Sequence, residues 1–177
     1  VVKDINLITQ NPEISIVVET MGGTKPAYAF VKACLEAGKH VATSNKELVA
    51  AHGPELLEIA KAHHVSFLFE ASVGGGIPII RPLVSSITSD AVTEITGILN
   101  GTTNYMLTKM SEDGLDYDAV LEDAQERGYA ERNPAADVEG HDARRKIAIL
   151  SSLISGQQVD FEDIYCEGIT QITVEDM

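Results

Sequence analysis

Long hydrophobic runs, positive charge and cysteine are what this sequence has little of. No apolar run approaches the roughly 18 residues that a bilayer-spanning helix needs. The longest near-apolar stretches, such as Val65 to Phe69, are strand-sized. Lysine and arginine together number 13 against 27 aspartates and glutamates, a formal net charge of −14. That balance repels nucleic-acid phosphates and anionic membrane surfaces, so neither is expected as a partner. A small anionic substrate could still bind where positive groups gather locally. Two cysteines, Cys34 and Cys166, are too few for a disulfide framework or a metal cluster. Cys34 falls in an apolar helical pattern, where a buried thiol is expected, and a reducing cytoplasm fits. The opening residues carry no secretory-leader pattern. The chain starts at Val1, in mid-pattern, which leads us to expect a fragment.

What is present is ordinary for a globular protein: 177 residues, 44% apolar and 23% charged. Ile14 to Val18 is short, β-branched and apolar, like a buried parallel strand. A loop follows, Glu19-Thr-Met-Gly-Gly23. Pro26 to Ala37 then reads as a helix, with Gly38 as its stop. His40 to Ala42 is a second short strand, Glu47 to His63 a second helix, and Val65 to Phe69 a third strand. This strand–helix alternation is the rhythm of βαβ units. The character changes at Glu70, where Ala71 to Gly76 forms a turn and Pro78 suits the first turn of a helix running to about Ile87. Val92 to Thr96 alternates like a strand with one wet face. Asn100 to Asn104 is a loop entering a helix. Tyr117 to Arg127 is helical and Gly128 ends it. A turn-rich loop, Tyr129 to His141, leads into a helix from Asp142 to about Ser155, and Glu167 to Thr173 reads as a last strand. The fold expected is α/β, a partial Rossmann-like parallel sheet over residues 1–70. An α/β domain over 71–177 follows, with a mixed sheet covered by helices, and it holds most of the residues that could carry catalytic chemistry.

Three segments could carry chemistry. On the helix from Asp142, residues Asp142, Lys146, Ile149, Leu150 and Leu153 share one stripe at 100° per residue, with Arg144 and Ser151 opposite. An acid and a lysine thus sit at one end of the face meant for the core, where charges must be paired or used. An ordinary i,i+4 pair is the plainer alternative. The preceding loop gathers Glu131, Asp137, Glu139, His141 and Asp142. Such carboxylates could hold an ammonium group, position the lysine, bind a divalent ion or simply be solvated. The spacing matches no EF-hand, and neither His141 nor the His63-His64 pair forms a zinc pattern. Thr43-Ser-Asn-Lys46 follows a strand directly, at the end of a parallel sheet where ligands gather. Lys46 is placed to meet a cofactor or a carboxylate there, or the cluster is only a helix start capped by Ser44 or Asn45. Gly74-Gly-Gly76 lacks the third glycine of a dinucleotide fingerprint and suits a tight turn presenting carbonyls.

Together and in this order, these segments resemble the homoserine dehydrogenase family. The resemblance rests on Thr43-Ser-Asn-Lys46, Glu70 to Ile79, Asn100-Gly-Thr-Thr-Asn-Tyr105, Gly128-Tyr-Ala-Glu131, Ala136 to Asp142 with Arg145-Lys146, and Cys166-Glu-Gly-Ile-Thr170. It spans nearly the whole chain. It implies reversible hydride transfer between NAD or NADP and L-aspartate 4-semialdehyde, giving L-homoserine for threonine, methionine and isoleucine synthesis. Lys146 matches the catalytic lysine and Asp142 its acidic partner. Glu131, Asp137, Tyr129, Gly101 and Thr102 match substrate-binding positions, and Lys46, Thr20 and Gly22 fall to the cofactor. Carbonyls of Glu70, Val73, Gly75 and Ile77 match a site for a monovalent cation, Na or K. A cytoplasmic homodimer is implied. The family's Pro-Asp after the glutamate is Arg132-Asn133 here. Its glycine-rich phosphate turn would lie upstream, so this stretch by itself is expected to fold and pair without activity. Another NAD(P)-dependent oxidoreductase of similar build, or a non-catalytic dimerisation module, stays open.

Overall fold

A computed structural model of the chain describes residues 3–87 and 89–177. It divides into two compact units, one running to Val92 and including Ala148–Asp163, the other comprising Thr93–Ile147 and Ile164–Met177. The first unit holds α1 (Asn6–Thr9), β1 (Ile16–Glu19), α2 (Ala27–Glu36), β2 (His40–Thr43), α3 (Lys46–Ala62), β3 (Phe67–Leu68) and α4 (Ile80–Ser85). The second holds α5 (Gly101–Asp113), α6 (Tyr117–Glu126) and the single turn α7 (Ala135–Val138). A last helix, α8 (His141–Ser155), gives its residues through Ile147 to the second unit and the rest to the first.

The three strands pair in parallel in the order β1-β2-β3, with Val17 opposite Val41 and Val41 opposite Phe67. Period-two alternation puts Val17, Val41 and Phe67 on one face, and Val41 and Phe67 are buried there. The core of this unit adds Val31, Cys34 and Leu35 from α2 and Leu48, Val49 and Leu56 from α3. The other face, with Ile16, Val18 and Leu68, is bare: these three side chains are each more than 60% exposed. The expectation of a fully buried first strand therefore holds for one face only. Parallel strands ordinarily have both faces covered.

Helix α3 contains Pro54. Proline has no N–H, so the carbonyl of Ala50, four residues back, loses its usual donor. The Gln158 side-chain amide takes that place, donating to Ala50 O at 2.7 Å. The second unit has its own core of Met106 and Met110 from α5, Val120 and Ala124 from α6, and Ala130 and Val138.

Sequence and structure part at several elements. Residues 91–100, which include the alternating Val92 to Thr96, carry no strand pairing, and Glu167 to Thr173 forms turns. The expected mixed sheet is thus not formed among the described residues of the second unit. Alternation selects a face, but a strand also needs a neighbour for its N–H and C=O groups. The helix expected from Pro78 to Ile87 is shorter, Ile80–Ser85. Its start is set by Glu70, whose carboxylate accepts from the amides of Ile79, Ile80 and Arg81. Helices α2, α3, α6 and α8 begin and end within a residue or two of the periodicity. By contrast, α5 starts at Gly101 inside the expected loop, α7 forms a turn within the expected loop Tyr129 to His141, and α1 precedes the first expected element.

Candidate active site

The carboxyl ends of β1 and β2 are tied by one polar chain. Glu19, the last residue of β1, is buried; its Oε1 accepts from Met21 N at 2.6 Å and its Oε2 from the Thr43 hydroxyl at 2.5 Å. Thr43 Oγ1 in turn accepts from Asn45 N at 2.9 Å. Asn45 caps α3 by accepting from Leu48 N, and its Nδ2 donates to Gly23 O at 2.7 Å. The loop carrying Thr20 and Gly22 is therefore fastened to the start of α3, where Lys46 is the first helical residue. Thr20 and Gly22 are exposed and Lys46 is half-buried. A helix amino end at the carboxyl edge of a parallel sheet presents N–H groups and the positive pole of the helix dipole, which suits an anionic ligand. Of the two caps the sequence allows, Asn45 is the one used.

The second unit gathers the acids and the catalytic-lysine candidate. Lys146 Nζ stands 2.7 Å from Asp142 Oδ2 and donates to Leu99 O at 2.8 Å. Asp142 is buried and Lys146 is nearly so, their side chains being 3% and 15% exposed. Asn100 joins this pair to Asp137. Its Nδ2 donates to Asp137 Oδ1 at 2.7 Å and to Asp142 Oδ2 at 3.0 Å. Its Oδ1 accepts from the backbone and hydroxyl of Thr103, capping α5. Both amide hydrogens and both oxygen lone pairs are thereby used. The sequence marks Asn100 only as part of a loop entering a helix and of a segment that carries the family resemblance, with no role of its own. Asparagine before Gly-Thr-Thr signals a helix cap, but nothing in the sequence says which carboxylates its amide meets.

The other candidate substrate residues lie at the start of α5 and in the loop that follows α6. Thr102 donates its hydroxyl to Tyr129 O at 2.8 Å, and the Tyr129 ring lies 4.8 Å from that of Tyr105. Tyr105 also hydrogen-bonds Asp123. Gly101 opens α5. Glu131 is exposed, with its carbonyl accepting from Gln125. The structure therefore brings Asp137, Asp142 and Lys146 into one hydrogen-bonded group and holds Thr102 and Tyr129 to each other. Glu131 sits outside that group.

At the glycine turn, the carbonyl of Glu70 accepts from Val73 N and Gly74 N, both at 3.2 Å. A Cβ on Gly74 would stand 2.6 Å from Ile77 O, so the turn closes only around glycine. Burial pushes the Glu70 carboxyl up, but the three backbone amides of Ile79, Arg81 and Ile80 outweigh it and hold the group below its ordinary range. Among the described residues no group of three or more His, Cys, Asp or Glu side chains is arranged to hold a metal ion. No helix of the described residues is long and apolar enough to cross a membrane.

Comparison with known proteins gives this geometry a context. Residues 1–70 match the family model described as the homoserine dehydrogenase NAD-binding domain, which places this stretch among NAD-binding domains. Residues 78–177 match the model described as homoserine dehydrogenase. The chain belongs to the homoserine dehydrogenase family. It is 49% identical over 174 residues to a Synechocystis homoserine dehydrogenase, covering 98% of this chain and 40% of that protein. It is 46% identical over 170 residues to the Bacillus subtilis enzyme, covering 96% and 39%. The crystal structure of a homoserine dehydrogenase from Thiobacillus denitrificans superposes with a TM-score of 0.91 at 45% identity, over 98% of this chain and 40% of that one. A hyperthermophilic archaeal homoserine dehydrogenase in complex with NADPH matches with a TM-score of 0.86 at 29% identity, over 96% and 52%. The chain thus spans about two fifths of the length of the curated relatives it matches.

Proposed function

We propose that the protein of which these residues are part interconverts L-homoserine and L-aspartate 4-semialdehyde, with NADP or NAD as hydride carrier, in amino-acid biosynthesis. The observation that carries this reading is the Asp142–Lys146 pair, buried on one helix and bridged through Asn100 to Asp137, within a chain of this family. The nicotinamide, when bound, supplies or accepts the hydride. The assignment of the dinucleotide to the carboxyl edge of the parallel sheet is supported by the fastened loop and the amino end of α3, which meet there. Lys46, Thr20 and Gly22 are the residues assigned to it.

Hydride arriving at an aldehyde leaves negative charge on oxygen. An ammonium has three donors; two on Lys146 are engaged by Asp142 and Leu99 O, and the third serves the substrate oxygen. Lys146 then stabilises the developing alkoxide and hands it a proton. Asp142 holds the ammonium in position. Asp137 and Glu131 are assigned to the substrate ammonium, and Gly101, Thr102 and Tyr129 to the pocket wall. A monovalent cation is assigned to carbonyls of Glu70, Val73, Gly75 and Ile77, where it would brace the glycine turn. The functional division at residue 70, a homodimer and a cytoplasmic location complete the reading.

The test is homoserine-dependent reduction of NADP, with NAD in parallel, by the full-length gene product and its Lys146→Ala variant. We expect kcat to fall by about 10²–10⁴-fold in the variant while homoserine still binds. A folded, cofactor-binding full-length protein without this activity overturns the proposal.

A further inference from the structure

We propose that Glu19 selects the oxidation state of the bound carrier, its buried carboxylate favouring the cationic nicotinamide of NADP or NAD over the neutral reduced ring. The inference rests on the assignment of Thr20, Gly22 and Lys46 to the dinucleotide and adds a residue to that site. Glu19 is 4% exposed and ends β1, directly before Thr20. Its Oε1 accepts from the Met21 amide at 2.6 Å and its Oε2 from the Thr43 hydroxyl at 2.5 Å. Both oxygens accept, as those of an ionised carboxylate do. Among the described residues no lysine, arginine or histidine pairs with it.

Fastening the loop does not by itself require a charge. Glu19→Gln would keep both contacts, its Oε1 accepting from Met21 N and its Nε2 donating to Thr43 Oγ1. A charge taken out of water costs free energy unless a partner or a ligand offsets it. The partners on this protein's side are a hydroxyl and an amide, so the offsetting charge comes with the ligand. Sign then decides which part of the dinucleotide this carboxylate favours. Phosphates are anionic and are repelled by it, most strongly where water is scarce. The oxidised nicotinamide ring carries one positive charge and the reduced ring carries none.

The hydrogen bonds also keep the carboxylate from turning away. Thr43 Oγ1 accepts from Asn45 N, and Asn45 Nδ2 donates to Gly23 O, so both ends of the loop after β1 are held. A fixed charge of this kind needs no reorganisation when the ligand arrives. By holding the oxidised form more tightly, Glu19 biases the bound carrier toward giving up hydride, the direction that reduces an aldehyde. Lys46 and the amino end of α3 bring positive charge to the same edge. They are common to wild type and the variants below, so the comparison reads the charge of Glu19 alone.

The probes are NADP against NADPH, with NAD against NADH in parallel, titrated calorimetrically into the full-length gene product without homoserine. The readout is the ratio of the two dissociation constants. Glu19→Gln is expected to weaken binding of the oxidised form by about fivefold or more and of the reduced form by less than about twofold. Thr43→Val cuts one fastening bond and leaves the charge. It should weaken both forms alike, with the ratio within about twofold of wild type. Equal weakening of both forms in Glu19→Gln, or no weakening of either, overturns the proposal. Where Glu19→Gln does not fold, Thr43→Val still decides: a ratio shifted by fivefold with the charge retained overturns the proposal, and a kept ratio supports it. A wild-type protein that binds neither form sinks the cofactor assignment as well, whereas a ratio that Glu19→Gln does not move sinks this inference alone. None of these affinities depends on whether the protein oxidises homoserine.

Discussion

The two units satisfy their buried polar groups in different ways. In the first, one carboxylate, Glu19, is met by a neutral hydroxyl and a backbone amide, and the chain continues through Thr43 and Asn45 to a backbone carbonyl. In the second, two carboxylates share the amide of Asn100, and one of them also holds an ammonium. The first arrangement fastens loops and leaves no net charge to react beyond one satisfied acid. The second concentrates charge in a water-poor setting, where each group depends on its neighbours and a proton donor can be held in place. Asparagine sits at the centre of both, and in both it caps a helix, so one substitution can compare them.

The largest effect should come from Asn100→Asp. Aspartate caps a helix as well as asparagine does, but here it removes both donors and sets a third carboxylate against Asp137 and Asp142. We expect about 3–5 kcal/mol of destabilisation in urea unfolding, the scale for leaving buried charge uncompensated. The same change at Asn45 loses only the bond to Gly23 O and gains a little from the helix dipole, for a net cost of about 1–2 kcal/mol. Equal costs at the two positions would break the distinction between a charged network and a neutral fastening.

Glu70 sharpens it, as a carboxylate satisfied wholly by backbone. Its folded-state proton affinity is depressed, so its contribution is present above the ordinary value of 4.5 and is lost as pH falls through the lower folded value. Against Glu70→Gln, the wild-type chain should therefore be more stable at pH 7, by about 1 kcal/mol as for a helix cap. That advantage should shrink steadily once the pH is below 4.5. An advantage that grows on acidification would show that burial, not the amides of Ile79, Ile80 and Arg81, governs the group.

Much of this was legible in the sequence because it was periodic. The stripe of Asp142, Lys146, Ile149 and Leu150 is the buried side of α8, and the βαβ rhythm of the first 70 residues is the parallel sheet. What escaped was partnership. Val92 to Thr96 alternates correctly, yet pairing depends on a second strand that no local pattern specifies. Asn100 reads as part of a loop entering a helix, and its contacts to Asp137 and Asp142 span 37 and 42 residues. Glu19 reads as the first residue of a loop, and its bond to Thr43 crosses a whole helix.

Pro54 gives the smallest and most discriminating test. A proline inside a helix ordinarily leaves a carbonyl without a donor, and in the first unit a neutral side chain fills the gap, Gln158 to Ala50 O. Gln158→Ala should cost about 1 kcal/mol in the natural background, because the Ala50 carbonyl loses its replacement donor. In a Pro54→Ala background the helix supplies its own N–H to Ala50 O, so the same loss should cost less. A double-mutant cycle is then expected to show a coupling of about 0.5–1 kcal/mol between positions that are 104 residues apart (158 less 54). Zero coupling would mean that Gln158 merely lies near the helix. The neutral fastening of the first unit would then be confined to its strand ends.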